Sequence, residues 1–151
     1  MSEKWKTARQ LGISSDLREA LGKVHGMLAS GELRHQSDPA AAGDKDAFKY
    51  ELWRDIRLTS GHGCGTVACI GGWCSVFTRH SVVIDVNSDT HDLFYGGMKM
   101  YEGRDYDACG VTTYQAAEAL ENYLTTGKAH WERVLGKPKA RRGVLDRIFG
   151  R

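Results

Sequence analysis

The segment from His62 to Cys74, HGCGTVACIGGWC, constrains the fold more than any other part of the chain. Its thirteen residues hold three of the four cysteines and four of the eighteen glycines. Glycines permit close backbone approach, and thiols gathered beside them are typical of a reactive site or of a tightly packed junction. We therefore expect this segment to form either a functional site or a constrained packing point in the fold.

Length and composition predict one soluble globular domain. The 151 residues are enough to bury a single core, and hydrophobic and charged residues make up 41% and 26% of the chain. The first residues lack the apolar stretch of a signal peptide, and no apolar run is long enough to cross a bilayer. We expect a cytoplasmic protein with no membrane partner, whose cysteines are free thiols.

Apolar periodicity predicts that most of this domain is helical. One amphipathic helix is expected from Asp16 to Ala29, a second from Thr113 to Leu124, and a shorter one near residues 131–135. Two capping-box patterns mark the starts of the long helices: Asp16 with Glu19, and Thr112 with Gln115. Between the helices, residues 32–46 contain proline and glycine without apolar periodicity, which predicts a mobile loop.

A small β element is expected beside the helices. Residues 81–86, SVVIDV, form a β-branched run that suits a short strand, and a second strand is expected at Met98 to Tyr101 after a Gly96-Gly97 turn. The predicted fold class is therefore α+β, mainly α, with one compact domain over residues 1–136.

Residues 137–151 form a basic amphipathic tail. Six lysines and arginines, including Arg141 and Arg142, stand against a single acid, although the net charge of the whole chain is only +2. Leu145, Ile148 and Phe149 fall on one side of a helical wheel, which favours a short helix docked on the domain. The alternative is that the basic tail binds nucleic acid.

The central segment offers one candidate nucleophile. If Thr66 caps a helix that begins at Val67, then Cys64 lies just before the helix N-terminus, where amide hydrogens and the helix dipole stabilise a thiolate. Gly63 and Gly65 would leave the sulfur accessible, and the free amides near Thr66 could hold an anion. The alternative is that these small residues serve packing alone.

A nucleophilic cysteine needs a base, and three histidines are candidates: His62, His80 and His91. A metal site is not expected, because four residues separate Cys64 from Cys69 and Cys69 from Cys74, whereas zinc ligands usually form closer pairs. No cofactor is predicted. Cys69 and Cys74 are expected to be protected by packing.

Aromatic residues after the central segment suggest a binding surface. Tyrosines at 95, 101, 106 and 114 occur with Lys99 and Arg104, a mixture that suits a protein interface or the stacking of bases. The alternative is that the rings pack at the edge of the core. Tyr95, Tyr101 and Arg104 are the candidates for binding.

The string CGTVACIGGW, with Phe48 and Trp53 before it and the VTTYQAAEAL segment after it, resembles a group of small bacterial and phage proteins of uncharacterised function. The resemblance implies a bacterial or phage origin, and because the group has no known function it supplies no activity for this chain. We expect a small regulatory protein that binds a macromolecular partner, most readily another protein. The alternatives are an enzyme that uses Cys64, and a nucleic-acid-binding protein that uses its tail.

Overall fold

A computed structural model describes residues 4–35, 47–48, 67–78, 87–99 and 111–136. Helices account for most of these residues: α1 Ala8–Leu11, α2 Ser15–Ala29, α3 Ile70–Thr78, α4 Ser88–Lys99, α5 Thr113–Thr126 and α6 Trp131–Leu135. Within these ranges, no helix combines the length and the apolar character needed to span a membrane.

The described part of the chain is all-α, so the predicted α+β class is wrong. Extended pairing there is confined to three two-residue segments in parallel register: β1 Arg34–His35, β2 Ala47–Phe48 and β3 Val67–Ala68. Segments this short cannot form a β layer that covers a core. The strand predicted at Met98 fails because Met98 and Lys99 end helix α4, and the strand predicted at 81–86 lies outside the described residues.

Helix α2 forms the centre of the core, as its apolar period predicts. Leu21, Val24 and Leu28 are almost fully buried, and the helix packs against both α3 and α5. Its cap differs from the predicted one, because the Ser14 side chain accepts the Leu17 N–H. The capping box predicted at Asp16 is therefore wrong.

Helix α5 confirms the prediction made from its sequence. The Thr112 hydroxyl accepts the Gln115 N–H, and the Gln115 side chain accepts the Thr112 N–H in return. These contacts satisfy two amides that a helix start leaves without partners. The helix ends at Gly127, whose φ of 91° is the left-handed conformation that glycine adopts at low cost.

Helix α4 is one of two helices that the sequence analysis did not predict, the other being the four-residue α1. It crosses a glycine pair that was interpreted as a turn, and its Leu93 and Phe94 side chains are buried in the core. At Gly96, an added Cβ would lie 2.7 Å from Cδ1 of Trp131 on α6. The glycine therefore allows a close approach between two helices, which outweighs its low helix propensity.

Candidate functional site

The central cysteine-rich segment contains a helix start, but at a different residue from the predicted one. Helix α3 begins at Ile70, and Val67–Ala68 is extended, so a helix beginning at Val67 under a Thr66 cap is wrong. Cys69 takes the capping position: its sulfur accepts the Gly72 N–H at 3.4 Å and its carbonyl accepts the Trp73 N–H at 3.0 Å. A thiol thus does here what serine or threonine does at most helix starts.

The thiols of α3 are placed for packing. Cys69 and Cys74 are both buried free thiols. Burial raises the pKa of Cys69, although backbone N–H groups near the sulfur act in the opposite direction. Burial raises the pKa of Cys74 well above its ordinary value, and the neighbouring Cys69 adds to the rise. A buried thiol that stays protonated is a poor nucleophile, which agrees with the expected protection of these two cysteines.

Of the predicted catalytic and binding residues, the described part of the chain contains His91 and Tyr95, which lie side by side on α4. His91 is exposed on α4, where its ring lies 4.6 Å from that of Tyr95, and Tyr95 is half-buried against the core as the packing alternative predicts. The other candidates lie outside the described residues: His62, Gly63, Cys64, Gly65, Thr66, His80, Tyr101, Arg104, Arg141 and Arg142. In the part of the chain that is described, no three side chains group as metal ligands.

Cys64 loses the geometric argument that made it a candidate nucleophile. The stabilising amides and dipole of a helix N-terminus act within about one turn. Because α3 begins at Ile70, Cys69 occupies that position, and the premise of a helix starting at Val67 next to Cys64 is wrong. Cys64 itself lies outside the described residues.

A shallow cleft of about 120 Å³ lies between α2 and α3. It is lined by Asp16, Glu19, Ala20, Lys23, Phe77 and Thr78. Lys23 forms a 2.8 Å ion pair with Glu19, and its ammonium lies 5.7 Å from the centre of the Phe77 ring. The hydrogen bond from Lys23 lowers the pKa of the exposed Glu19. Much of the polar lining of this cleft is thus already paired.

Tyr114 is the most exposed large hydrophobic side chain in the described ranges, at 77%. It lies in the first turn of α5, on the side of the helix opposite the buried Leu120 and Tyr123. Glu118, one turn later, is exposed beside it. The sequence gives the same signal, since helical periodicity assigns Tyr114 to the polar face of α5.

Comparisons with protein families, with curated proteins and with solved structures found no match to this chain.

Proposed function

We propose that this chain is a small cytoplasmic regulatory protein, linked to phage, that works by binding another protein through the surface around Tyr114. The exposure of Tyr114 carries the proposal. Removing a tyrosine ring from water is favourable, and aromatic side chains are enriched among the residues that dominate binding energy at protein interfaces. An aromatic ring left in water is therefore a candidate anchor for a partner.

The surroundings of Tyr114 suit this role. Helix α5 is held by its capping box at one end and by Gly127 at the other, and its inner face is buried from Ala116 to Leu124. Tyr114 thus stands on an ordered helix, and tyrosine has only two side-chain torsions to fix on binding. Both features reduce the conformational entropy that association would cost.

The test is capture of a partner by the full-length chain and by two variants. Tyr114→Ala removes the proposed anchor. Lys128→Ala is the control. Lys128 is also exposed and follows the last residue of α5, Thr126, which lies about 18 Å along the helix axis from Tyr114. Both changes are at the surface, and we expect each to alter the free energy of unfolding by no more than about 0.5 kcal/mol.

Tagged protein would be incubated with a lysate of its bacterial source, before and after phage infection, and captured proteins quantified by mass spectrometry. We expect a protein that is captured by the natural chain and by Lys128→Ala but lost with Tyr114→Ala. Equal capture by all three chains would contradict the proposal. Capture that disappears on nuclease treatment would favour nucleic acid as the partner instead.

A further inference from the structure

Two aromatic side chains of the described structure each meet a cation and a carboxylate. Phe77 on α3 belongs to the first of these groups. The Lys23 ammonium lies 5.7 Å from the centre of the Phe77 ring and forms a 2.8 Å ion pair with Glu19. The face of an aromatic ring attracts a cation, and the carboxylate attracts the same charge. Lys23 is therefore held by two electrostatic contacts at once.

Trp5, which precedes α1, belongs to the second group. The Arg18 guanidinium lies 5.2 Å from the centre of the indole, and the indole Nε1 donates to Oε2 of Glu121 at 2.8 Å. The same carboxylate oxygen lies 3.3 Å from Nε2 of His25. Lys23, Arg18 and His25 are all residues of α2. In both groups, α2 thus supplies the basic side chains that contact the ring or the carboxylate.

Tyr114 and Glu118 on α5 form a third pair of ring and carboxylate. Tyr114 is 77% exposed, and Glu118 is exposed one turn later. Side chains four residues apart on a helix are neighbours, and each leans toward the helix N-terminus, which brings the Glu118 carboxylate toward the turn that carries Tyr114. Among the described residues, no cation pairs with Glu118 or lies over the Tyr114 ring. In that part of the chain, this pair lacks the cation that the other two groups contain.

The charge of α5 suits a cation at this place. The helix contains two glutamates, Glu118 and Glu121, and neither lysine nor arginine. Glu121 already contacts Trp5 and His25. The partial positive charge at the N-terminus of a helix falls off within the first turn, and Glu118 lies in the second. Glu118 therefore places a negative charge beside an exposed aromatic ring.

We propose that the surface around Tyr114 recognises an arginine of its protein partner, with the guanidinium stacked on the Tyr114 ring and hydrogen-bonded to the Glu118 carboxylate. The inference rests on the function proposed above and names the chemistry of the partner. Arginine suits the pair better than lysine, because its planar guanidinium can stack on a ring while two of its N–H groups donate to one carboxylate. The occupant is thus an arginine-bearing segment of another protein.

Selection from a library of random peptides by the immobilised full-length chain tests this specificity. The natural chain should enrich peptides that contain arginine. Tyr114→Ala should not retain those peptides, and Glu118→Lys, which reverses the charge, should lose the enrichment of arginine. Glu132→Lys is the matched control, because it makes the same charge reversal at an exposed position on α6. It should enrich arginine as the natural chain does.

One selected peptide then measures the contact between its arginine and Glu118. Citrulline in place of that arginine keeps the shape of the side chain and removes its charge. For the natural chain, we expect citrulline to raise Kd by about 3- to 30-fold, through loss of the ring contact and the ion pair together. For Glu118→Gln, the increase should be about 2- to 5-fold, because only the contact with the ring remains to be lost. Tyr114→Ala should raise Kd for the arginine peptide by about 30-fold or more, the loss typical of a dominant interface residue.

The outcomes separate this inference from the function proposed for Tyr114. Selected peptides that depend on Tyr114 but are not enriched in arginine would overturn the inference and leave that function intact. Selection that Tyr114→Ala does not change would contradict both. An equal effect of citrulline on the natural chain and on Glu118→Gln would show that Glu118 does not contact the arginine, and would overturn the inference, as would a natural chain that selects no peptide.

Discussion

At residue 96, the absence of a side chain sets how closely α4 and α6 pack. The Trp131 indole donates to the Asp92 carbonyl at 2.9 Å, which fixes the ring over the helix. A Cβ at Gly96 would meet Oδ1 of Asp92 at 2.3 Å and Cδ1 of Trp131 at 2.7 Å. The Asp92 side chain can rotate away, but the indole cannot move without loss of its hydrogen bond.

Gly96→Ala should therefore destabilise the protein by about 1–3 kcal/mol, the usual cost of overpacking a buried contact. Gly26→Ala is the matched control, because Gly26 lies inside α2 with no atom within 4 Å of an added Cβ. There alanine should stabilise by about 0.5–1 kcal/mol, through its higher helix propensity. Urea unfolding followed by circular dichroism measures both. A Gly96→Ala variant as stable as the natural chain would show that α4 and α6 can separate freely.

Residue types alone placed a helix start in the right segment but at the wrong residue. Thr66 was interpreted as the helix cap because threonine is a common capping residue and cysteine is not. The structure places Cys69 at the cap, where burial of its neighbours Ile70 and Trp73 determines the helix start. Burial of this kind depends on α2 and α4, which contact the segment from distant positions in the chain.

At the scale of elements, the sequence predicted three helices whose signals are local, although α1, with a capping box of Thr7 and Gln10, was not predicted. Helices α2, α5 and α6 have an apolar period, a capping pattern or a terminal glycine within their own residues. Helix α4 has a glycine pair in its second half, and its stability depends on two contacts with other helices. Phe94 packs against Gly71 of α3, and Gly96 allows Trp131 of α6 to approach closely. Those contacts are tertiary, so periodicity could not show them. The strand predicted at Met98 failed for the same reason.

The capping box of α5 should contribute measurably to stability. Thr112→Ala removes the hydroxyl that accepts the Gln115 N–H, and we expect a loss of about 0.5–2 kcal/mol in the free energy of unfolding. Thr112→Ser keeps an oxygen at the same position and should retain most of the stability. Thermal unfolding of the three chains under identical conditions measures the difference. Equal losses in both variants would mean that the threonine methyl group, and not the hydroxyl, stabilises the helix start.

At the scale of the whole molecule, a polar network that is buried at Thr90 and Tyr123 and partly exposed at Asn87 joins three helices. The Asn87 amide donates to the carbonyls of Leu11 and Gly12 at the end of α1. Its carbonyl oxygen accepts the N–H and the hydroxyl of Thr90 in the first turn of α4, each at 2.9 Å. The Thr90 hydroxyl in turn lies 2.5 Å from the Tyr123 hydroxyl on α5. Burial raises the pKa of Tyr123, which keeps this phenol protonated and able to donate.

A double-mutant cycle on Thr90 and Tyr123 measures how strongly this network couples α4 to α5. Thr90→Val leaves the buried Tyr123 hydroxyl without its Thr90 partner and should cost about 1–3 kcal/mol. Tyr123→Phe leaves the Thr90 hydroxyl bonded to Asn87, so it should cost about 0.5–1.5 kcal/mol. The double variant replaces both hydroxyls with apolar groups of similar shape, so it should cost less than the sum of the two. We expect a coupling energy of about 0.5–3 kcal/mol from urea unfolding.

The same cycle built on Thr90 and the exposed Glu118 is its control, because the Glu118 side chain lies on the outer face of α5, away from the network. Its coupling energy should be close to zero, since residues without shared partners contribute independently. If the losses in free energy of unfolding from the Thr90 and Tyr123 substitutions are also additive, the two hydroxyls do not act as a pair. The packing of Leu93, Phe94 and Leu120 would then hold α4 on α5 without help from the hydrogen bond.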